Sequence, residues 1–189
     1  MRIITIAGTH SGVGKTALAV LLLGRLKGYA AIKVSKSDFM VSVTDRKEVI
    51  EERGKDTALM KEAGASPVVW VQTNDREQAE CLSLAMGIVS DAQGVMIEGN
   101  SAARAVKADK LFFVTGTDLS GMKPGALNLL EKADVIVVNQ DSEVPPAGLL
   151  EELRAHNPKA LMTTMGAAGH PEGELAELLS SLSVPGSPD

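Results

Sequence analysis

The chain has 189 residues, with 24 acidic side chains against 19 basic ones and a formal net charge of −5. This length suits one domain with a sizeable core, and the acidic balance argues against nucleic acid or an anionic membrane as a partner. The single cysteine, Cys81, excludes a disulfide framework and a Cys-x-x-Cys metal site. We expect one domain over residues 1–182 and a flexible tail over 183–189. We also expect a cytoplasmic location, because the first apolar run is too short for a signal peptide or a membrane span.

Short apolar runs alternate with amphipathic stretches along the chain. The run Ile3–Ala7 predicts a first strand, and Lys15–Lys27 predicts the helix that follows it. The later runs are rich in valine and isoleucine, which is typical of parallel strands covered on both faces. The alternation predicts a three-layer α/β/α fold around a mostly parallel sheet of about seven strands. The further predicted strands are Tyr29–Val34, Val68–Val71, Val95–Ile97, Leu111–Val114, Val135–Val138 and Ala160–Thr164, and the further helices are Lys55–Ala63, Asp75–Val89, Pro124–Lys132, Ala147–Ala155 and Glu172–Leu182.

One segment departs from this alternation of strands and helices. The stretch Lys36–Arg53 lies between the second strand and the next helix and is longer than a usual connection in an α/β domain. Its centre reads DFMVSV, which is compatible with a short extra strand. Long loops in compact α/β domains are often functional or mobile, and the sequence leaves the role of this one open.

The first strand and helix enclose a phosphate-binding motif. Residues 8–16 read GTHSGVGKT, a glycine followed by five residues and then Gly-Lys-Thr. Glycines let backbone N–H groups approach phosphate closely, and the following helix N-terminus favours negative charge. We expect Lys15 to neutralise the β- and γ-phosphates as a catalytic residue, and Thr16 to offer its hydroxyl to Mg²⁺. The full set expected to contact the nucleotide in this region is Thr9, His10, Ser11, Gly12, Val13, Gly14, Lys15, Thr16 and Ala17.

Two carboxylates are candidate metal ligands beside Thr16. Glu98 ends an apolar strand and precedes Gly99, so it should lie at the carboxyl edge of the sheet, where ligands bind in open α/β folds. Asp56 begins a predicted helix, where it is either a helix-capping residue, a metal ligand or both. Lys33 ends the second strand, where a lysine can neutralise a γ-phosphate or a substrate carboxylate as a second catalytic residue.

Several short stretches together resemble the molybdopterin-guanine dinucleotide biosynthesis adaptor family. These are the phosphate loop, AIK at the end of the second strand, GKDTALMKEAGA at residues 54–65, and VMIEGNS at residues 95–101. The resemblance covers roughly residues 2–115. It implies GTP binding with Mg²⁺, weak hydrolysis, a homodimer and a molybdenum-cofactor guanylyltransferase as partner. The chain departs from that family in its longer phosphate loop and in the added strand–helix units over residues 116–182.

The long loop also resembles that of dethiobiotin synthetase. The shared features are a lysine at Lys33, an Asp-x-Ala-Leu start at Asp56 and the Glu-Gly at Glu98. This resemblance implies Mg²⁺ held by residues matching Thr16, Asp56 and Glu98, with lysines matching Lys15 and Lys33. It favours an ATP-dependent ligase acting on a carboxylate, although the substrate-binding Lys-Pro and glycine-rich stretches of that family are missing.

The base of the nucleotide is not specified by the sequence. Asn139 ends a predicted strand and resembles the asparagine of the guanine motif Asn-Lys-x-Asp, so we expect it to contact a base. The aspartate of that motif is replaced by Ser142, and without it the hydrogen bonds that select guanine are lost. Both GTP and ATP therefore remain open at this point.

Overall fold

The computed structural model describes residues 1–140 and 145–166, together with residues 175, 177 and 178. Within them lie eight strands: β1 (Arg2–Gly8), β2 (Tyr29–Lys36), β3 (Ser42–Thr44), β4 (Val68–Thr73), β5 (Gly94–Glu98), β6 (Lys110–Thr115), β7 (Val135–Asn139) and β8 (Leu161–Met165). The helices are α1 (Lys15–Leu23), α2 (Lys47–Ile50), α3 (Asp56–Glu62), α4 (Gln78–Ile88), α5 (Asn100–Ala105), α6 (Ala126–Leu130) and α7 (Leu149–His156). Most of the predicted helix Glu172–Leu182, the position of Ser142 and the expected tail 183–189 lie outside the described residues.

The strands form one sheet in the order β3-β4-β2-β5-β1-β6-β7-β8. All neighbours run parallel except β3, which pairs antiparallel with β4 at the edge. The predicted mostly parallel sheet is confirmed, with one strand more than the expected seven. The added strand is β3, and it lies in the long segment after β2 whose sequence suggested it.

Helices cover both faces of the sheet. Successive side chains of a strand point to opposite faces, so Ile4 and Ile6 of β1 pack with α1 in one apolar cluster, while Ala7 packs with α6 and α7 on the other face. A further cluster on that second face joins α4 and α5 to β2, β4 and β5. The three-layer prediction is therefore confirmed.

Helix boundaries differ from the expectations. The first helix ends at Leu23 rather than Lys27, and α4 begins at Gln78 rather than Asp75. Helices α2 and α5 were not predicted, because four and six residues are too few to show a helical period. No helix in the described part of the chain is long and apolar enough to cross a membrane.

Candidate functional site

The phosphate loop connects the end of β1 to the start of α1. Gly12 and Gly14 adopt left-handed backbone conformations, with φ of 80° and 104°. A Cβ at Gly14 would overlap the side chain of Asn139, so only glycine fits there. Val13 between them is buried in the core below α1 and anchors the loop to the sheet. Two left-handed glycines and one apolar anchor thus fix the shape of this loop.

The side chain of Lys15 is folded back under the loop. Its ammonium donates to the carbonyl oxygen of His10 at 2.7 Å. Burial lowers the pKa of Lys15, attraction by Glu98 opposes this shift, and repulsion from Lys33 and Lys123 adds to it. A half-buried, poorly neutralised cation inside a glycine loop is a strong attractor for an anion.

Beside the loop, Lys33 joins the two candidate carboxylates. Its ammonium lies 2.5 Å from Glu98 Oε1 and 2.6 Å from Asp56 Oδ2. The side chain of Glu98 is 1% exposed and that of Asp56 is 45% exposed, so the group opens to solvent on one side only. The Thr16 hydroxyl donates to Glu98 Oε2 at 3.0 Å. We call these four residues, Thr16, Lys33, Asp56 and Glu98, the carboxylate cluster.

The register of the sheet explains why this cluster forms. Glu98 at the end of β5 lies opposite Lys33 of β2 and Ile6 of β1. Because side chains alternate along a strand, Glu98 shares the face of Met96, which packs in the same cluster as α1. The first turns of α1 and α3 then bring Thr16 and Asp56 to that face.

Charge balance in the cluster depends on Lys33. Burial by itself lowers the pKa of Lys33, but Glu98 and Asp56 together outweigh burial and raise the pKa above its ordinary value. Lys33 is therefore a cation in the folded chain. It compensates Glu98, whose buried carboxylate would otherwise lack a counter-charge.

The oxygen donors of this cluster suit a magnesium ion. Mg²⁺ prefers hydroxyl, carboxylate and phosphate oxygens, and it keeps several of its waters. The Thr16 hydroxyl lies within hydrogen-bond distance of Glu98, and the carboxylates of Glu98 and Asp56 both contact Lys33. Among the described residues, no three histidine, cysteine, aspartate or glutamate side chains gather into a metal-binding group, so a metal here would draw on two carboxylates, a hydroxyl and its own waters or phosphates.

Two positioning residues at the site were missed by sequence reasoning. Asn100 accepts from the Gly8 N–H at 3.0 Å and donates to the Gly8 carbonyl at 2.7 Å, which ties the end of β5 to the start of the loop. Lys123 donates through its backbone to the Thr9 carbonyl at 2.9 Å and through its ammonium to the Ser11 hydroxyl at 2.8 Å. Asn100 carried a sequence signal, because it directly follows the Glu-Gly pair. Lys123 carried none, because it lies 107 positions beyond Thr16 in the sequence.

The other predicted contact residues have different positions around the loop. The hydroxyl of buried Thr9 has no hydrogen-bond partner among the described residues, and His10 Nδ1 lies 2.8 Å from the Ser11 carbonyl. Ala17 is exposed on the first turn of α1. The Asn139 amide donates to the Val13 carbonyl at 3.1 Å, so this side chain supports the loop from below. The base contact expected of Asn139 stays a prediction.

Loop and carboxylate cluster share one open cleft of about 800 Å³. Its floor is the loop and α1, and its walls come from β2, the start of α5 and the turn before α6. Its polar lining includes Ser11, Lys15, Thr16, Lys33, Lys36, Asp56, Glu98, Asn100, Arg104 and Lys123. Most of these side chains are cationic or carry hydroxyls, which suits a polyanionic ligand.

No protein-family model and no curated protein matches the sequence. Solved structures do match the fold. The hydrogenase maturation factor HypB from Archaeoglobus fulgidus is 15% identical, with 96% of this chain and 88% of that chain covered and a TM-score of 0.63. HypB from Helicobacter pylori, in complex with nickel, is 14% identical over 96% and 85% of the two chains, with a TM-score of 0.62.

A third similar structure is the MinC:MinD cell division complex of Aquifex aeolicus. It is 16% identical over 96% of this chain and 86% of that chain, with a TM-score of 0.52. These likenesses agree with the layered, mostly parallel sheet of this chain. The chain has the three-layer α/β/α fold of the P-loop NTPases.

Proposed function

We propose that this protein is a magnesium-dependent nucleotide-binding protein that hydrolyses nucleoside triphosphate slowly. The observation that carries the proposal is the juxtaposition of Lys15, inside the glycine loop, with Thr16 and its 3.0 Å hydrogen bond to the buried Glu98. In P-loop proteins such a lysine holds the β- and γ-phosphates, and such a hydroxyl and carboxylate hold the metal. The fold and the cationic cleft support the same reading.

Each residue of the site has a separable role. The loop amides and Lys15 bind the phosphates, and the left-handed glycines keep those amides accessible. Thr16, Glu98 and Asp56 would hold Mg²⁺, directly or through its waters, and the bound ion would neutralise charge on the transferred phosphoryl group. Lys33 lies beside this position and adds a second cation toward the γ-phosphate.

Slow hydrolysis follows from the state of the potential bases. Both carboxylates of the cleft are ion-paired with Lys33 in the nucleotide-free chain, and in the loaded site they would hold Mg²⁺. The His10 Nδ1 nitrogen is directed at a carbonyl of its own loop. Positioning and charge neutralisation therefore do most of the work in phosphoryl transfer at this site.

For the biological role, we propose a GTP-binding adaptor in molybdenum cofactor biosynthesis that acts as a homodimer with a guanylyltransferase. The support is the GKD and AGA stretches, which are separated by six residues in sequence and flank α3, the helix that presents Asp56. Gly54 and Gly64 take left-handed conformations at its two ends, with φ of 85° and 106°. The two stretches thus delimit the helix whose first residue, Asp56, lines the cleft.

The proposal is tested by calorimetric titration of GTP and ATP, each with and without Mg²⁺. We expect tight Mg²⁺-dependent binding of GTP by the native chain and loss of measurable binding in Lys15→Ala, because the phosphates lose the cation inside the loop. Lys132→Ala is the matched control, since that lysine is exposed beyond the end of α6 and does not line the cleft. Unchanged affinity in Lys15→Ala would refute the site, and tight ATP with weak GTP would refute the GTP adaptor role.

A further inference from the structure

Lys33 occupies the position between the two carboxylates that a metal ion would need. Its ammonium contacts Glu98 Oε1 and Asp56 Oδ2 at once, at 2.5 and 2.6 Å. The remaining oxygen of Glu98 accepts a hydrogen bond from the Thr16 hydroxyl. The side-chain partners of Glu98 are therefore other cluster residues, and the one cation among them, Lys33, offsets one of the two negative charges of the cluster.

A divalent cation competes with this arrangement for the same oxygens. An ammonium and a metal ion repel each other at the separations that a shared carboxylate imposes, and the low dielectric around Glu98 strengthens that repulsion. Metal ligation also requires the Thr16 oxygen to present a lone pair, while its proton is now directed at Glu98. The nucleotide-free chain should therefore bind a metal ion weakly.

A bound triphosphate offers the ammonium a new partner. Lys33 projects from β2 into the same cleft as Lys15 and the loop, and its side chain is 15% exposed there. Four methylene groups let the ammonium swing without moving the strand. Phosphate charge delivered at the loop can draw the ammonium away from Glu98 and Asp56, which frees both carboxylates.

We propose that Lys33 is an internal counter-cation that closes the metal position until nucleotide arrives, so that metal binding is conditional on nucleotide. This inference rests on the proposed nucleotide site and adds a rule for the order of binding. It assigns Lys33 two positions, one on the carboxylates of the empty site and one on the phosphates of the loaded site.

The test is direct binding of Mn²⁺, as a paramagnetic substitute for Mg²⁺, to nucleotide-free protein by electron paramagnetic resonance. In Lys33→Met the ammonium that competes with metal for the carboxylates is gone, so Mn²⁺ should bind at least about tenfold more tightly than it binds the native chain. Lys36→Met is the matched control, because Lys36 lines the same cleft but pairs with Asp75, at 2.7 Å. Its Mn²⁺ affinity should equal the native value. Equal affinities in Lys33→Met and the native chain would overturn the inference.

Loss of the cation also leaves Glu98 buried without a counter-charge, so Lys33→Met has a second readout. If the variant is unfolded alone, Mn²⁺ should restore its circular dichroism and its thermal transition, because the metal replaces the missing cation. Failure of Mn²⁺ to restore folding would contradict the inference. Adding Glu98→Gln to Lys33→Met should abolish both the Mn²⁺ gain and the rescue, which assigns them to this carboxylate.

The two proposals fail in different ways. If the native chain binds no Mg²⁺–nucleotide complex in calorimetry, the proposed function is wrong. If it binds that complex while Lys33→Met gains no affinity for Mn²⁺, the nucleotide site stands and only the counter-cation role of Lys33 is wrong.

Discussion

Gly14 shows how one residue controls the phosphate loop. Its φ of 104° lies in the left-handed region, and the side chain of Asn139 occupies the space where a Cβ would stand. Gly14→Ala should therefore lower the free energy of unfolding by about 1–3 kcal/mol and weaken nucleotide binding, because the loop amides move. Urea unfolding and calorimetry measure the two effects.

Gly54 provides the comparison for that substitution. It has a similar left-handed φ of 85°, but a Cβ there would meet no atom within 4 Å. Gly54→Ala should cost only the backbone strain, about 1 kcal/mol. Equal losses in the two variants would show that the contact with Asn139 is unimportant.

The buried phenol of Tyr29, which is remote from the cleft, should make the stability of the fold depend on pH. Burial raises the pKa of this phenol above its ordinary 10.0, and the nearby Arg2 only partly opposes the shift. The folded state thus holds the proton more tightly than the unfolded state. The associated stability is fully present below pH 10.0 and is lost as the pH rises through the folded-state pKa.

This effect is simple to observe, since Tyr29 is the only tyrosine in the chain. Phenolate absorbance should titrate at higher pH in native protein than in urea-unfolded protein. Tyr29→Phe should remove this part of the alkaline decline in stability. Coincident titrations in the native and unfolded protein would contradict the burial assigned to the ring.

At the scale of elements, α3 is held in place by a buried hydrogen bond. The Thr57 hydroxyl donates to the carbonyl of Ile50 at 2.8 Å, which links the end of α2 to the helix that carries Asp56. Thr57→Val leaves that carbonyl buried and unpaired, so stability should fall by about 1–3 kcal/mol. Urea unfolding measures the loss.

Thr57→Ser keeps the hydroxyl and should recover most of that loss. In calorimetry, Thr57→Val should also weaken Mg²⁺-dependent nucleotide binding, because Asp56 precedes Thr57 on the same turn. Valine and serine variants of equal stability would show that the hydroxyl does not hold the helix.

Across the whole molecule, two adjacent phenylalanines connect the three layers. Phe112 and Phe113 of β6 are fully buried, the first in the cluster with α1 and the second in the cluster with α6 and α7. Each substitution to alanine should lower the free energy of unfolding by about 3–5 kcal/mol, since it leaves a cavity in one layer. Chemical denaturation measures both.

The third phenylalanine of the chain is the control for this pair. Phe39, in the long segment after β2, is fully exposed, so Phe39→Ala should change stability by no more than about 0.5 kcal/mol. If Phe112→Ala or Phe113→Ala behaved like Phe39→Ala, the corresponding layer would not belong to the cooperative core.

Much of the architecture was predictable because it depends on local sequence patterns. Apolar runs such as Val135–Val138 indicate buried strands, and the glycines and Lys15–Thr16 after Ile3–Ala7 indicate a phosphate loop. The short helix α5 was not predicted, because six residues are too few to show a helical period. The contact of Asn100 with Gly8 was not predicted either, because the two residues are 92 positions apart in the sequence.

By itself, then, the sequence determined the alternation of strands and helices, the phosphate loop and the residues suited to a metal. Only the tertiary structure decided the strand order and the pairing of Lys33 with Glu98, 65 positions apart. The physical reason is that periodicity reports which face of an element is buried, whereas register and long-range ion pairs depend on which elements pack together. That packing places Lys33 against both carboxylates expected to hold a metal, while its contact with phosphate stays a prediction.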